Sequence, residues 1–128
     1  MTVVLDTDVV TGALDASDAH HEAARDCFAE WRREGIARLV SLVNLTEILV
    51  APAGDPARLH LAREAISALG IAVDAPAEAI AVDAARLRGR HPISLPDAYA
   101  VATARHVDGR LVTFDRKVVE AAEHEGLR

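Results

Sequence analysis

One cysteine, one lysine and four aromatic residues are all that this 128-residue chain carries of those types. The lone Cys27 excludes an intramolecular disulfide and fits a reducing, cytoplasmic setting. Neither CxxC nor HExxH occurs, which argues against a structural zinc site or a zinc-protease helix. With one Trp, one Tyr and two Phe there is no aromatic platform for stacking bases, and a net charge of −6 provides no basic field for nonspecific nucleic-acid binding. No apolar run approaches the ~20 residues of a membrane span, so no membrane association is expected. Met1-Thr2 leads straight into an apolar strand without a signal peptide's basic region.

What remains is an ordinary globular composition, 51% hydrophobic and 27% charged, in a chain of single-domain length, so residues 1–128 are read as one domain. Thirteen of the 14 basic residues are Arg, a side chain suited to bidentate phosphate contacts.

The charge pattern is uneven in a telling way. Residues 1–14 carry no charge except Asp6 and Asp8, which follow the strand Val3-Val4-Leu5. From Leu39 to Gly54 the only charged side chain is Glu47, and from Pro92 to Ala104 it is Asp97. The run Leu111-Val112-Thr113-Phe114 ends on Asp115. A carboxylate in apolar surroundings is costly unless it is paired, hydrogen-bonded or bound to a metal. Four apolar segments each deliver one.

Strand and helix signals alternate. After the first strand, helices are expected over Asp8–Leu14 and from a Ser17 or Asp18 cap to Glu34, stopped by Gly35. A strand follows over Ile36–Leu42, then a helix from Asn44 to Ala51. Asp55-Pro56 starts a helix to Leu69, and Ile71–Val73 forms a short strand. Further helices are expected from Ala75-Pro76 to Arg88 and from Ser94 to Val107, then the strand Leu111–Phe114 and the helix Arg116–His124. Gly126-Leu127-Arg128 resembles the start of an edge strand. The alternation predicts a three-layer α/β/α sandwich with a mainly parallel sheet, whose site belongs beyond the carboxyl ends of the strands, where Asp6 and Asp115 lie.

Each acid also fits a structural role. Asp6 and Asp115 can cap the helices after them, and Asn44-x-x-Glu47 and Ser94-x-x-Asp97 match the capping box. If instead the acids converge, two carboxylates ~4 Å apart repel by about 4 kcal/mol at an effective dielectric of 20, so the group needs a cation or must take up protons. Oxygen-only donors select hard ions such as Mg²⁺ or Mn²⁺.

Asp6 after the first strand, Glu47 in NLTEIL, Asp97 in LPDAYAVATA and Asp115 in LVTFDRK together resemble the acidic quartet of PIN domains, most nearly the VapC-type toxins of bacterial toxin–antitoxin pairs. The resemblance spans nearly the whole chain. It implies a Mg²⁺- or Mn²⁺-dependent endoribonuclease, usually dimeric and silenced by a VapB-like antitoxin, with in-line attack of a metal-activated water on RNA. Asp6, Asp97, Asp115 and Glu47 would hold the metal, and Thr113 matches the Ser/Thr that orients the last acid or a water. Asp8 stands where Ser or Asn is common, and Arg116-Lys117 follow Asp115 where some members carry another acid. No His stands in the four motifs, which disfavours a histidine route through a cyclic phosphate.

Two further groups invite a role. Arg86, Arg88 and Arg90 precede the Asp97 motif and, with Arg116-Lys117, could grip phosphates beside the metal. Phe28 and Trp31 follow helical spacing as core or dimer packing, and if partly exposed they would anchor a partner. His20 and His21 read as solvated surface. The alternatives are a non-catalytic PIN-like module that binds RNA or protein, disfavoured by the intact acids, and a phosphatase-like metalloenzyme, whose downstream Lys motif is missing.

Overall fold

A computed structural model of the chain describes residues 1–127. Its centre is a sheet of four parallel strands in the order β3-β2-β1-β4: β1 (Thr2–Leu5), β2 (Ala37–Ser41), β3 (Ile71–Asp74) and β4 (Arg110–Val112). Val3, Val4 and Leu5 are essentially inaccessible, as expected of a strand covered on both faces. Their alternation divides the core. Val4 points into a layer with Ile80, Leu87, Val101 and Val118, whereas Val3 and Leu5 pack with Val9, Phe28, Trp31 and Ile48. Helices therefore cover both faces, and the expected α/β/α sandwich is what forms.

On the Val3 and Leu5 face lie α1 (Thr7–Leu14), α2 (His21–Glu34), α3 (Leu42–Leu49) and α4 (Pro56–Ala68), the last two linked through a 3-10 turn at Pro52–Gly54. The other face carries α5 (Glu78–Arg90), α6 (Leu95–His106) and α7 (Arg116–His124). The chain runs β1, β2, β3 outward in one direction and returns to place β4 on the opposite side of β1. The order of the strands reverses between β1 and β4, and in open parallel sheets the crevice beyond the strand ends at that point is where ligands bind.

Several boundaries differ from those read in the sequence, each for a local reason. Neither Ser17 nor Asp18 caps α2. Ser17 N–H bonds the Asp15 carboxylate and Asp18 accepts from His20 N–H in tight turns, and the helix starts at His21. Helix α3 opens two residues early because Ser41, the last residue of β2, caps it through Val43 N–H, leaving Asn44 inside the helix. Helix α5 starts at Glu78, after Pro76, and continues through Gly89 to Arg90.

Strand β4 ends at Val112 rather than Phe114, because Thr113 and Phe114 turn to bond carboxylates instead of the neighbouring strand. Gly126 does not begin an edge strand. At φ +82° it closes α7 with a Schellman motif, in which Leu127 N–H bonds Ala122 C=O and Gly126 N–H bonds Glu123 C=O. Leu127 then packs on the core, and Arg128 lies outside the described residues.

Phe28 and Trp31 are each only 6% exposed and meet edge to face, with ring centroids 5.0 Å apart. They are core residues, which removes them as the exposed anchor for a partner.

Candidate active site

Beyond the carboxyl ends of β1 and β4 lies a cleft of about 240 Å³. Six acids line it: Asp6, Asp8, Asp18, Glu47, Asp97 and Asp115. Thr7, Thr11 and Ser94 complete the lining, and no basic side chain contributes. The four acids singled out from the sequence thus come together from four separate segments, and the fold adds Asp8 and Asp18.

Asp6 is the most constrained of them, at 1% exposure. It caps α1 by accepting Thr7 N–H at Oδ1 (2.9 Å), while Oδ2 accepts the Thr113 hydroxyl at 2.8 Å. Its backbone N–H reaches Val112 C=O at 3.0 Å, extending the pairing of β1 with β4 and locking Asp6 beside Thr113. Burial, reinforced by the charge of Asp97, pushes its carboxyl up to about 7, against the downward pull of the Thr113 bond. Burial also raises Asp8, whose Oδ2 accepts Phe114 N–H at 3.1 Å; Asp115 and Asp97 add to the rise. Asp8 Oδ1 is buried without a hydrogen-bond partner.

Asp97 and Asp115 are held by their own helices. Asp97 forms a reciprocal capping box with Ser94, accepting Ser94 N–H at 3.1 Å while Ser94 Oγ accepts Asp97 N–H at 3.2 Å. Asp115 caps α7 through Lys117 N–H at 2.8 Å, and its own N–H is held by Thr113 Oγ1 at 3.1 Å. The Thr113 hydroxyl therefore serves two acids, donating to Asp6 and accepting from the backbone of Asp115. Glu47 is exposed, one turn along α3 from the buried Asn44, and the capping box expected with Asn44 does not form because Ser41 holds the cap.

The capping and site readings are thus compatible. A cap consumes one carboxylate oxygen and leaves the second available to the cleft, as Asp97 and Asp115 show. The donor set is entirely oxygen, and a buried carboxyl raised to about 7 among like charges suits a hard cation. Among the described residues, no three His, Cys, Asp or Glu side chains stand close enough to hold an ion as they are.

The basic residues lie elsewhere than expected. Arg90 pairs with Glu125 at 2.9 Å, and neither it nor the exposed Arg86 and Arg88 line the cleft. Arg116 and Lys117 remain exposed on α7 beside Asp115, Arg116 reaching Glu120 at 3.4 Å. Of the histidines, His20 stacks on Phe114 with centroids 4.7 Å apart, and His21 Nδ1 lies 2.8 Å from Gly12 C=O. His20, whose N–H bonds Asp18, also stands near Asp8, a proximity that the sequence does not announce.

The sequence misread one residue of the site outright. Asn44, taken for a helix cap, is fully buried and directs its amide at Thr7, Pro96 and Asp6. Its place three residues before Glu47, on the same helical face, was the available signal.

Comparison with known proteins bears on the fold and the family. No curated protein matches the sequence. Among solved structures, the chain is similar to Mycobacterium tuberculosis VapC20, a sarcin–ricin loop cleaving toxin, at 18% identity and a TM-score of 0.76, covering 93% of this chain and 94% of that one. It is similar to VapBC2 from Rickettsia felis at 12% identity and a TM-score of 0.74, over 94% and 93% of the two chains. A toxin–antitoxin complex from Klebsiella pneumoniae gives 23% identity and a TM-score of 0.71, over 90% and 88%. These likenesses concern the fold. The sequence profile of the PIN domain matches residues 3–124, nearly the whole chain and all four acidic segments, and so the chain belongs to the PIN domain family.

Proposed function

We propose that this PIN domain is a Mg²⁺- or Mn²⁺-dependent endoribonuclease, the toxin of a VapBC-type pair. The observation that carries the reading is the convergence of six acids and no base on one cleft at the point where the strand order reverses. That arrangement gathers more like charge on one cleft than the capping of three helices requires.

Asp6, Asp97 and Asp115 would hold the ion, with Glu47 acting mainly through water. When bound, the ion supplies Lewis-acid chemistry, lowering the pKa of a water and offsetting charge on the phosphodiester. The protein's own part is to hold the acids in place. Thr113 fixes Asp6 and the backbone of Asp115 together, and the Ser94 box fixes Asp97. Arg116 and Lys117, exposed beside Asp115, would meet backbone phosphates.

The solved neighbours include a sarcin–ricin loop cleaving toxin and toxin–antitoxin complexes, which supports a nucleic-acid-cleaving toxin with an antitoxin as partner. An antitoxin Arg placed against Asp6, Asp97 and Asp115 would replace the ion's charge with a bidentate pair. A homodimer is the expected assembly and the cytoplasm the expected setting.

The test is induced expression in a bacterial host that lacks the neighbouring gene. Growth arrest with fragmented RNA is expected, lost in Asp97→Asn and relieved by co-expression of the adjacent small reading frame. Normal growth with intact RNA, given soluble protein, would replace this reading with a non-catalytic binding module.

A further inference from the structure

We propose that Asn44 is a positioning residue for the acidic site: its side-chain amide ties the segments bearing Asp6, Glu47 and Asp97 into one arrangement. The proposal rests on the metal-dependent reading above for one arm of its test and stands without it for the other.

Asn44 is fully buried. Its Nδ2 lies 3.1 Å from Thr7 Oγ1, 3.1 Å from Pro96 C=O and 3.4 Å from Asp6 Oδ1. Thr7 opens α1 directly after Asp6, and Pro96 directly precedes Asp97 in the first turn of α6. Asn44 itself sits on α3, one turn before Glu47. A single amide on the Glu47 helix thus touches two other segments, one carrying Asp6 and one carrying Asp97. The two amide hydrogens serve the two shorter contacts, and the longer one adds attraction to the Asp6 carboxylate.

The orientation is determined by the partners. A carbonyl oxygen and a carboxylate oxygen both require a donor, and the reversed amide would set its own oxygen against both. The residue also carries a cost, since Asn44 Oδ1 is buried without a hydrogen-bond partner. A half-satisfied buried amide is a poor way to stabilise a core, and an aliphatic side chain of similar size would avoid the orphaned oxygen. Its presence is explained by what the Nδ2 end holds together. Thr7 N–H and Asn44 share Asp6 Oδ1 while Thr113 takes one lone pair of Oδ2, so the other lone pair of Oδ2 is left for the cleft.

The experiment compares Asn44→Leu, Asn44→Thr and, as a control in the opposite helical layer, Ile80→Val. Mn²⁺ binding is measured by calorimetry, and amide hydrogen exchange is followed without metal. Outer-sphere partners of metal ligands are typically worth roughly tenfold to a hundredfold in affinity, so a fall of that size is expected in Asn44→Leu. Asn44→Thr, which keeps one hydroxyl donor, should fall between it and the parent, and Ile80→Val should bind as the parent does. In the exchange experiment, the Asp97 and Ala98 amides, bonded to Ser94, should lose protection in Asn44→Leu while the interior of α5 keeps it.

Parent-like affinity in Asn44→Leu, or protection lost evenly along the chain as a purely structural residue would cause, overturns the proposal. If Asn44→Leu does not fold, Asn44→Thr is read by the same criteria, and parent-like affinity there overturns it. If the parent binds no Mn²⁺, the metal-dependent function fails and the exchange pattern alone decides the role of Asn44.

Discussion

At the residue scale, the energetics of the site turn on Asp6. Its carboxyl is raised from 3.8 to about 7, chiefly by burial. An acid whose folded pKa exceeds its unfolded value costs stability once the pH passes the unfolded pKa, here about 3.8. That cost grows until the pH passes about 7 and is constant above it. Asn in place of Asp6 keeps an oxygen for Thr7 N–H and removes the charge. Asp6→Asn should therefore melt several degrees higher than the parent at pH 8 without metal, and the difference should vanish near pH 4. Thermal melts at the two pH values check this. A variant that melts lower than the parent at pH 8 would mean that Asp6 stabilises the fold as an ionised cap.

At the scale of elements, the same side chains end helices and furnish the cleft. Asp6 and Asp115 each satisfy a backbone N–H in the first turn of α1 and α7, and Asp97 that of Ser94, the residue capping α6. Helix starts point their free N–H groups and positive dipole ends toward the crevice, which makes an acid tolerable there before any cation arrives. Ser94 is the clearest probe of this double use. Ser94→Ala removes the acceptor for Asp97 N–H and should cost about 1 kcal/mol. It should also weaken Mn²⁺ binding, because the backbone of Asp97 loses its anchor on Ser94 Oγ and only the Ser94 N–H remains to hold the carboxylate. Denaturant melts and metal titration read the two effects separately, and lost stability with unchanged metal affinity would confine Ser94 to capping. The elements also explain why the sequence boundaries slipped. Asn44, Thr113 and Phe114 follow local rules for caps and strands, yet their hydrogen bonds go to partners 37 to 107 residues away.

At the scale of the whole molecule, charge is segregated. The cleft collects acids without a base, while the α5–α6–α7 layer holds an ion network about Glu125. Glu125 accepts from Arg90 at 2.9 Å and Arg105 at 2.7 Å, lies 2.6 Å from His91 Nε2, and is only 11% exposed at the side chain. The Arg90 bond, followed by that to His91, lowers its pKa from 4.5 to about 2. The sign is opposite to that of Asp6. Stability from Glu125 is fully present above about 4.5 and is lost as the pH falls toward 2. Glu125→Gln should cost roughly 1–3 kcal/mol at neutral pH, since charge-assisted bonds to a largely buried group are lost. Urea melts between pH 7 and pH 2 should show parent and variant converging in acid. A constant gap would assign the effect to shape rather than charge.

The amino-acid sequence by itself determined the strand–helix alternation, the parallel sheet and the four segments in which one acid stands alone. These follow from periodicity, turn residues and the cost of an unpaired carboxylate, all of which act over a few residues. Only the tertiary structure decided which acids face one another, because the strand order that brings the end of β1 beside the end of β4 is a property of chain crossover. It likewise brought Asp8 and Asp18 to the cleft, turned Asn44 from a cap into a buried tie and kept the α5 arginines out of the cleft lining. Each of those outcomes depends on a partner far away in the chain. Burial and long-range hydrogen bonding are set by packing, and no window of neighbouring residues contains the packing.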